Sequence, residues 1–443
     1  MADSIRFSRE VPVRHSVDVC VVGAGPGGVA AAVFAARSGA RTLILDAHTM
    51  PGGMSTAGRV PVLMNCSDGV NFLPGGFGSE VVAAMDAAAA GEGFEKSRYA
   101  IDAERLKFLY EEMLTESGAA IVYYSRLAGV SVAGGRISHA VFAAPGGLFA
   151  VAARVFVDGT GDGTLAAWAG APFRMGDEAG TLMPCTLCSL WTGFDWDAYA
   201  ADGAFSHNDD RMLDKLDAAF RDGLLTDRDY HHTGLVRHGE HLAGGNITHA
   251  FDVDGTDEVS LTRGLVESRR KLRDYENFYR KCVAGFGRAR IADSGSLLGV
   301  RETRRITGDY ILNYEDYLAR RTFDDEIGRY NFPVDIHPAA PGRAGLEEHK
   351  RFHRANFLGR GESYGIPYRI LLPLGLDNLL TCGRCVSTDR NVFASLRVIP
   401  GAWITGQAAG AAAALALRKE DTPRAVDPAE LRAILRGRGA FFY

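Results

Sequence analysis

The stretch from Val17 to Asp46, VDVCVVGAGPGGVAAAVFAARSGARTLILD, leaves little choice of fold. Residues 17–22 are a nearly continuous apolar run rich in valine, the pattern of a strand buried on both faces of a parallel sheet. Gly23, Gly25 and Gly28 follow in GxGxxG spacing; an alanine-rich segment then reads as a helix closed by Gly39, and RTLILD reads as a second strand ending in Asp46. Strand, glycine turn, helix, strand and acid in this order form a dinucleotide-binding unit. Gly23 permits the tight turn, Gly25 lets backbone amides approach a pyrophosphate, and Gly28 lets the helix lie close to the strand, with Pro26 and Gly27 completing the turn. The phosphates sit at the helix N-terminus, where unpaired N–H groups and the helix dipole favour negative charge. Asp46 is placed to accept hydrogen bonds from ribose hydroxyls. The alternative is a glycine-rich turn with an empty crevice, and the motif alone does not choose between FAD and NAD.

Composition narrows the class. The chain has 443 residues, 47% hydrophobic and 23% charged, which is enough for two or three domain-sized cores. A net charge of -5 without a basic block gives no electrostatic case for nucleic acid or an anionic membrane. No stretch has the length and apolarity of a signal peptide core or a bilayer span, so the chain is read as cytoplasmic. Seven cysteines scattered over this length fit a reducing compartment better than a disulfide framework.

Further along, AHTMPGGMSTAG follows Asp46, with Gly52 and Gly53 bringing the backbone close to a second flat group. YSRLAGVSVAGGRISHAVFAAPGGLFAVAARVFVDGTGDG reads as short strands joined by Gly-Gly turns, ending in an apolar strand and another glycine turn. These segments, with LGVRETRRITGDY, YGIPYRILLP and NLLTCGRCVSTDRNVFASLRVIPGAWITGQAAGAAAALA, make the chain resemble the FAD-dependent oxidoreductases of glutathione-reductase type, broadly related to the fumarate reductase and aspartate oxidase flavoproteins. The resemblance runs from near residue 17 to near residue 418. It implies an α/β fold: a Rossmann-like FAD-binding domain whose parallel sheet is crossed by an antiparallel β-meander, plus an inserted α+β substrate domain. The expected boundaries are 1–171 and 371–443 for the FAD domain and 172–370 for the substrate domain.

The same resemblance extends the FAD contacts to Ala47, Met54, Leu127, Gly159, Thr160, Gly161, Gly383, Arg384, Pro400, Gly406, Gln407 and Ala408. The helix after Pro400 is expected to direct its N-terminus at the flavin pyrimidine edge, where reduced flavin carries negative charge. His48 precedes the Gly52–Gly53 pair but lacks the rest of a covalent attachment motif, so the FAD is expected to be non-covalent.

His337, held between prolines in FPVDIHPAAPG, is the first candidate for a proton-transfer group, since flavin oxidation of an alcohol or amine needs a base near the oxidised carbon. If LGVRETRRITGDY is helical, Arg301 shares a face with Arg304 and Arg305, and the resemblance places Arg301 and Arg304 toward substrate or the flavin anion. Tyr364 and Arg369 complete the catalytic candidates. The apolar spacing of Leu265, Leu272, Tyr275, Tyr279 and Cys282 marks a helix with a core-facing stripe. Two CxxC pairs, Cys185 with Cys188 and Cys382 with Cys385, raise a rival reading as a dithiol or metal site. Both pairs start on expected strands, where residues three apart face opposite ways, and no second glycine unit for NAD(P)H is present. No metal ligand set is therefore read from the chain. The expected activity is hydride transfer between FAD and a small polar organic substrate, with the electron acceptor and oligomeric state open. A flavin-linked dithiol reductase and a non-catalytic binding protein are the alternatives.

Overall fold

The computed structural model describes residue 5 and residues 7–86 and 99–443. The glycine segment forms β1 (Val13–Val22), α1 (Pro26–Arg37) and β2 (Thr42–Leu45), and the sheet continues with β3 (Ala120–Val122), β4 (Arg126–Ala133), β5 (Arg136–Ala144) and β6 (Gly147–Asp158). The strand order is β3-β2-β1-β6-β5-β4. β1 is parallel to β2 and β6, and β2 to β3, whereas β4, β5 and β6 form an antiparallel meander. β6 lies along β1 on one side and divides its other side: its first part pairs with β5, and Phe156–Asp158 is left for a strand from much later in the chain.

A second, antiparallel sheet contains β7 (Ser189–Thr192), β8 (His232–Arg237), β9 (Leu242–Ile247) and β10 (Arg290–Ser294), in the order β8-β9-β7-β10. The expected striped helix is α2 (Glu258–Cys282). It buries Leu272, Tyr275 and Tyr279 in a core shared with Trp191 and Phe286, and Leu265 and Cys282 lie at the edge of that core. The chain then returns to the first sheet: β11 (Leu379–Thr381) pairs in parallel with the end of β6 and is followed by α3 (Ile399–Arg418). This is the α/β arrangement expected, with a parallel sheet, a meander and an inserted unit. Leu312, Tyr330, Tyr364 and Leu371 bury themselves in the core that holds α1 and α3, while Cys185 to Leu298 supply almost all of the second core. On this packing we propose that the substrate-side unit is shorter than 172–370.

α1 and α3 cross in near contact. A Cβ on Gly406 would come within 2.1 Å of the Gly27 carbonyl oxygen, and one on Gly410 within 2.0 Å of the Ala31 carbonyl oxygen. Even alanine at Gly406 therefore has to force the helices apart, and Gly406→Ala is expected to lower stability by about 3 kcal/mol, the upper part of the usual overpacking range. Denaturant unfolding measures this directly. Among the described residues, no single helix is long and apolar enough to cross a membrane. Arg390–Leu396 with α3 has the length and composition only as a pair bent by 93°, and α3 is buried from Ile399 to Ala416.

Candidate functional site

α1 and α3, like the helices Thr164–Trp168 and Arg343–Ala355, lack the side-chain caps that several other helices carry. Asp102, Asp209, Asp257 and Asp427 each cap a helix through a side-chain oxygen. α1 is capped by Gly25 and α3 by Val398, neither with a side-chain hydrogen bond, and neither helix has an acid in its first turn. Unpaired N–H groups at the positive end of a helix dipole are suited to an anion.

Gly25 shows that the α1 end fits the pyrophosphate of a dinucleotide. Its backbone is ordinary, with φ -64° and ψ 177°, and a Cβ there would meet only the Gly159 carbonyl oxygen, at 3.6 Å. The protein itself does not require glycine at this position, but a ligand lying against the backbone would. Gly23 and Gly28 differ. Gly23 has φ +96°, and a Cβ on Gly28 would lie 1.9 Å from the Gly23 carbonyl oxygen, so both are needed by the turn itself.

The neighbouring segments are tied to this turn. Asp46 accepts hydrogen bonds from the N–H groups of Ala24 (2.6 Å) and His48 (2.8 Å), and His48 Nδ1 lies 2.7 Å from it. Burial opposes the charge of Asp46, but these contacts outweigh it and hold its pKa below the usual carboxylate range. Ala47 links Asp46 to this histidine. Gly52 donates to the Ala24 carbonyl (2.7 Å), and the short turn Gly53–Ser55 lies beside Gly25; Met54 packs against Gly58. On the other side Gly159 donates to the Val22 carbonyl (2.8 Å), and Thr160 to Asp158. Arg384 bonds the Gly161 carbonyl and pairs with Asp162, joining the second glycine turn to the segment after β11. Gly383 donates to Thr405 Oγ1 (2.9 Å).

Other candidates lie away from the glycine crevice. Leu127 packs into the core on the far face of the sheet with Cys20 and Leu43. Pro400 is in the first turn of α3, but Gly406 faces Gly27, Ala408 is fully buried, and Gln407 uses both ends of its amide on backbone, bonding Gly75 and Phe77. The first turn of α3, the end expected to face the cofactor, is buried like the rest of the helix up to Ala416.

The arginine segment is extended, not helical. Arg304–Ile306 is a strand paired antiparallel with Phe173–Met175, so successive side chains alternate and Arg301, Arg304 and Arg305 separate. Arg304 lies over the Phe173 ring and bonds the Asp162 carbonyl, while Arg305 pairs with buried Glu302. Arg301 is buried elsewhere, donating to the Pro184 carbonyl (2.7 Å), with Nη2 3.4 Å from His231 Nε2. Tyr364 is a core residue bonded to Ser395, and Arg369 is an exposed partner of Asp325. Neither is held by a partner of His337.

His337 sits in a cluster that sequence reasoning missed. Its Nε2 lies 3.2 Å from Asp335 Oδ2 and its Nδ1 3.0 Å from His249 Nε2; His249 Nδ1 in turn lies 3.1 Å from Asp229 Oδ1. The His231 ring stacks on His249 at 4.0 Å between centroids. His349 and Arg397 also hold Asp335, at 3.1 Å each. Burial and then the Arg301 charge keep His337 neutral well below the usual histidine range, against the pull of Asp335. Asp335 stays ionised because its contacts to His337, His349 and Arg397 outweigh its burial. One signal for this cluster was present in the sequence: Asp229-Tyr230-His231 and Asp335-Ile336-His337 repeat the same D-x-H spacing.

Both CxxC pairs are buried, free thiols. Burial pushes Cys185 up to about 11 and Cys188 up to about 12, the nearby Arg301 charge only partly opposing it, and it raises Cys382 and Cys385 as well. Thiols so disfavoured as thiolates are poor nucleophiles. In the native protein, thiol titration with an aromatic disulfide at pH 8 is expected to detect no more than the partly exposed Cys282, and all seven cysteines only after denaturation. Rapid reaction of two native thiols would revive the dithiol reading.

The sequence profile of the family described as FAD dependent oxidoreductase matches residues 18–435. No curated protein matches the chain. Among solved structures, a geranylgeranyl bacteriochlorophyll reductase-like protein from Thermoplasma acidophilum is similar at 13% identity and TM-score 0.46, covering 96% of this chain and 84% of its own. The flavin-dependent brominase Bmp2, as a triple mutant, aligns at 12% identity and TM-score 0.45 over 95% and 84%. The anhydrotetracycline hydroxylase OxyS from Streptomyces rimosus aligns at 13% and 0.42 over 96% and 66%.

Proposed function

The chain belongs to the FAD dependent oxidoreductase family, and from that premise we propose that it transfers a hydride between non-covalently held FAD and a small polar organic substrate. When bound, FAD supplies the hydride acceptor or donor at its N5 atom. The observation that carries the reading is Arg397. It directly precedes Val398, the uncapped N-terminus of α3, and donates to the Oδ2 and backbone oxygens of Asp335 at 3.1 and 3.2 Å. Asp335 in turn holds His337. One side chain thus joins the anion-seeking helix end to the buried histidines.

In the oxidative direction, a substrate C–H leaves as hydride and the proton on its oxygen or nitrogen needs an acceptor. His337 has that role, with Asp335 fixing its ring and Arg301 placed to bind an electronegative substrate group. Both ring nitrogens of His337 are engaged in the free protein, so Nδ1 reaches a substrate only when the His249 contact opens. Anaerobic titration of the flavoprotein with sugars, hydroxy acids, amines and, for the reduced enzyme, cyclic enones tests the proposal. Loss of the visible flavin band with one polar substrate class, or its return with enones, is expected. Absence of any response across the panel, in a protein that dithionite reduces normally, would contradict it.

A further inference from the structure

The histidine cluster has a feature that proton transfer alone does not explain. A carboxylate only accepts hydrogen bonds, so His249 Nδ1 facing Asp229, and His337 Nε2 facing Asp335, each carry the ring hydrogen. Their opposite nitrogens, His249 Nε2 and His337 Nδ1, are then both without a hydrogen and lie only 3.0 Å apart. Neutral rings locked in this way repel unless a cation lies between them. His231 adds a third nitrogen, and the ligand atoms of the three buried rings all lie within 4.8 Å of one another. Two imidazole nitrogens on one tetrahedral ion, each about 2.0 Å from it, are about 3.3 Å apart, close to the spacing present. A carboxylate on the far nitrogen of a ligand histidine is the usual outer support of such a site, and two of the three histidines have one.

We propose that His231, His249 and His337 bind a divalent transition-metal ion of the zinc, iron or cobalt type. An adjoining cavity of about 20 Å³, lined by His207 and His349 as well as these rings, has room for one further oxygen ligand. Arg301, near His231, adds positive charge that Asp229 and Asp335 offset, and the balance favours an anionic oxygen in the open position. An ion there would draw the substrate oxygen to itself and acidify it; with Nδ1 on the ion and the Nε2 hydrogen on Asp335, His337 would hold the metal instead of taking the substrate proton itself. In the metal-loaded protein this replaces direct proton acceptance by His337 with lowering of the substrate's own pKa, and it rests on the proposed function only for where the substrate lies; the ion is measured without substrate.

The test uses the flavin-loaded protein, stripped of metal with a chelator and titrated with Co2+. One equivalent of cobalt with the visible bands of a four- or five-coordinate site is expected. His249→Ala should weaken binding about 100-fold or more, and Asp229→Asn by about 10- to 100-fold, the usual effect of removing an outer partner. Retained FAD content shows that each variant is folded, and if His249→Ala loses its FAD, Asp229→Asn carries the comparison. Cobalt uptake no greater than that of a His231→Ala, His249→Ala double variant, or an affinity unchanged in Asp229→Asn, would overturn the proposal and leave a shared proton between His249 and His337. Cobalt binding in a protein whose flavin no substrate reduces would refute hydride transfer and keep the metal site. Flavin turnover without cobalt binding would do the reverse.

Discussion

Gly25→Val is expected to lose FAD by at least a hundredfold in affinity while the chain stays folded. The two effects separate because of the backbone at this position. Its φ of -64° and ψ of 177° lie in the extended region open to valine, and the nearest atom to an added Cβ is 3.6 Å away, so the backbone is unstrained and the Cβ meets only ordinary contact. The space taken by the two methyl groups is the space through which a pyrophosphate reaches the first amides of α1. Gly28→Ala is the contrasting variant: its Cβ strikes the Gly23 carbonyl at 1.9 Å, so it should damage the turn and the fold together. Equilibrium dialysis for FAD and thermal unfolding of both variants check the contrast. Gly25→Val with full FAD occupancy would remove the pyrophosphate from the α1 terminus.

The second large effect concerns His337. His337→Ala is expected to keep the flavin spectrum and to slow anaerobic flavin reduction by the true substrate about 100-fold or more, the loss expected for a positioned proton-transfer group. The flavin should be undisturbed because its connection to α3 runs from Asp335 to Arg397, and His349 still holds Asp335 when His337 is gone. Stopped-flow reduction of the variant against the unaltered protein measures the effect. An unchanged rate would make His337 a packing residue and leave the proton to solvent.

The parts of this account that were legible in the sequence are those made by neighbours in the chain. The strand, glycine turn, helix and acid lie within 30 residues, and each glycine has a local reason, so β1, α1 and β2 could be read directly. The α2 stripe was legible for the same reason, since its period is set by one helix. Arg301, Arg304 and Arg305 were misread because a charged run has no apolar period; pairing with Phe173–Met175, more than a hundred residues earlier, makes their segment a strand. Gln407 is polar and lies in a helix expected to approach the cofactor, but its direction is set by the Gly75 and Phe77 backbone, which no local rule connects to it. The histidine cluster draws Asp229 and His231 from the segment before β8, His249 from after β9, and Asp335 and His337 from a loop about ninety residues further on. Only the repeated D-x-H spacing hinted at it, and that spacing is too short to carry a structural meaning by itself.

Denaturing the purified protein in acid and identifying what enters the supernatant tests the cofactor site most directly. One FAD per chain, released from a protein that was yellow beforehand, is the expected result. Flavin that stays with the precipitated chain, or a colourless chain that takes up no added FAD, would contradict it.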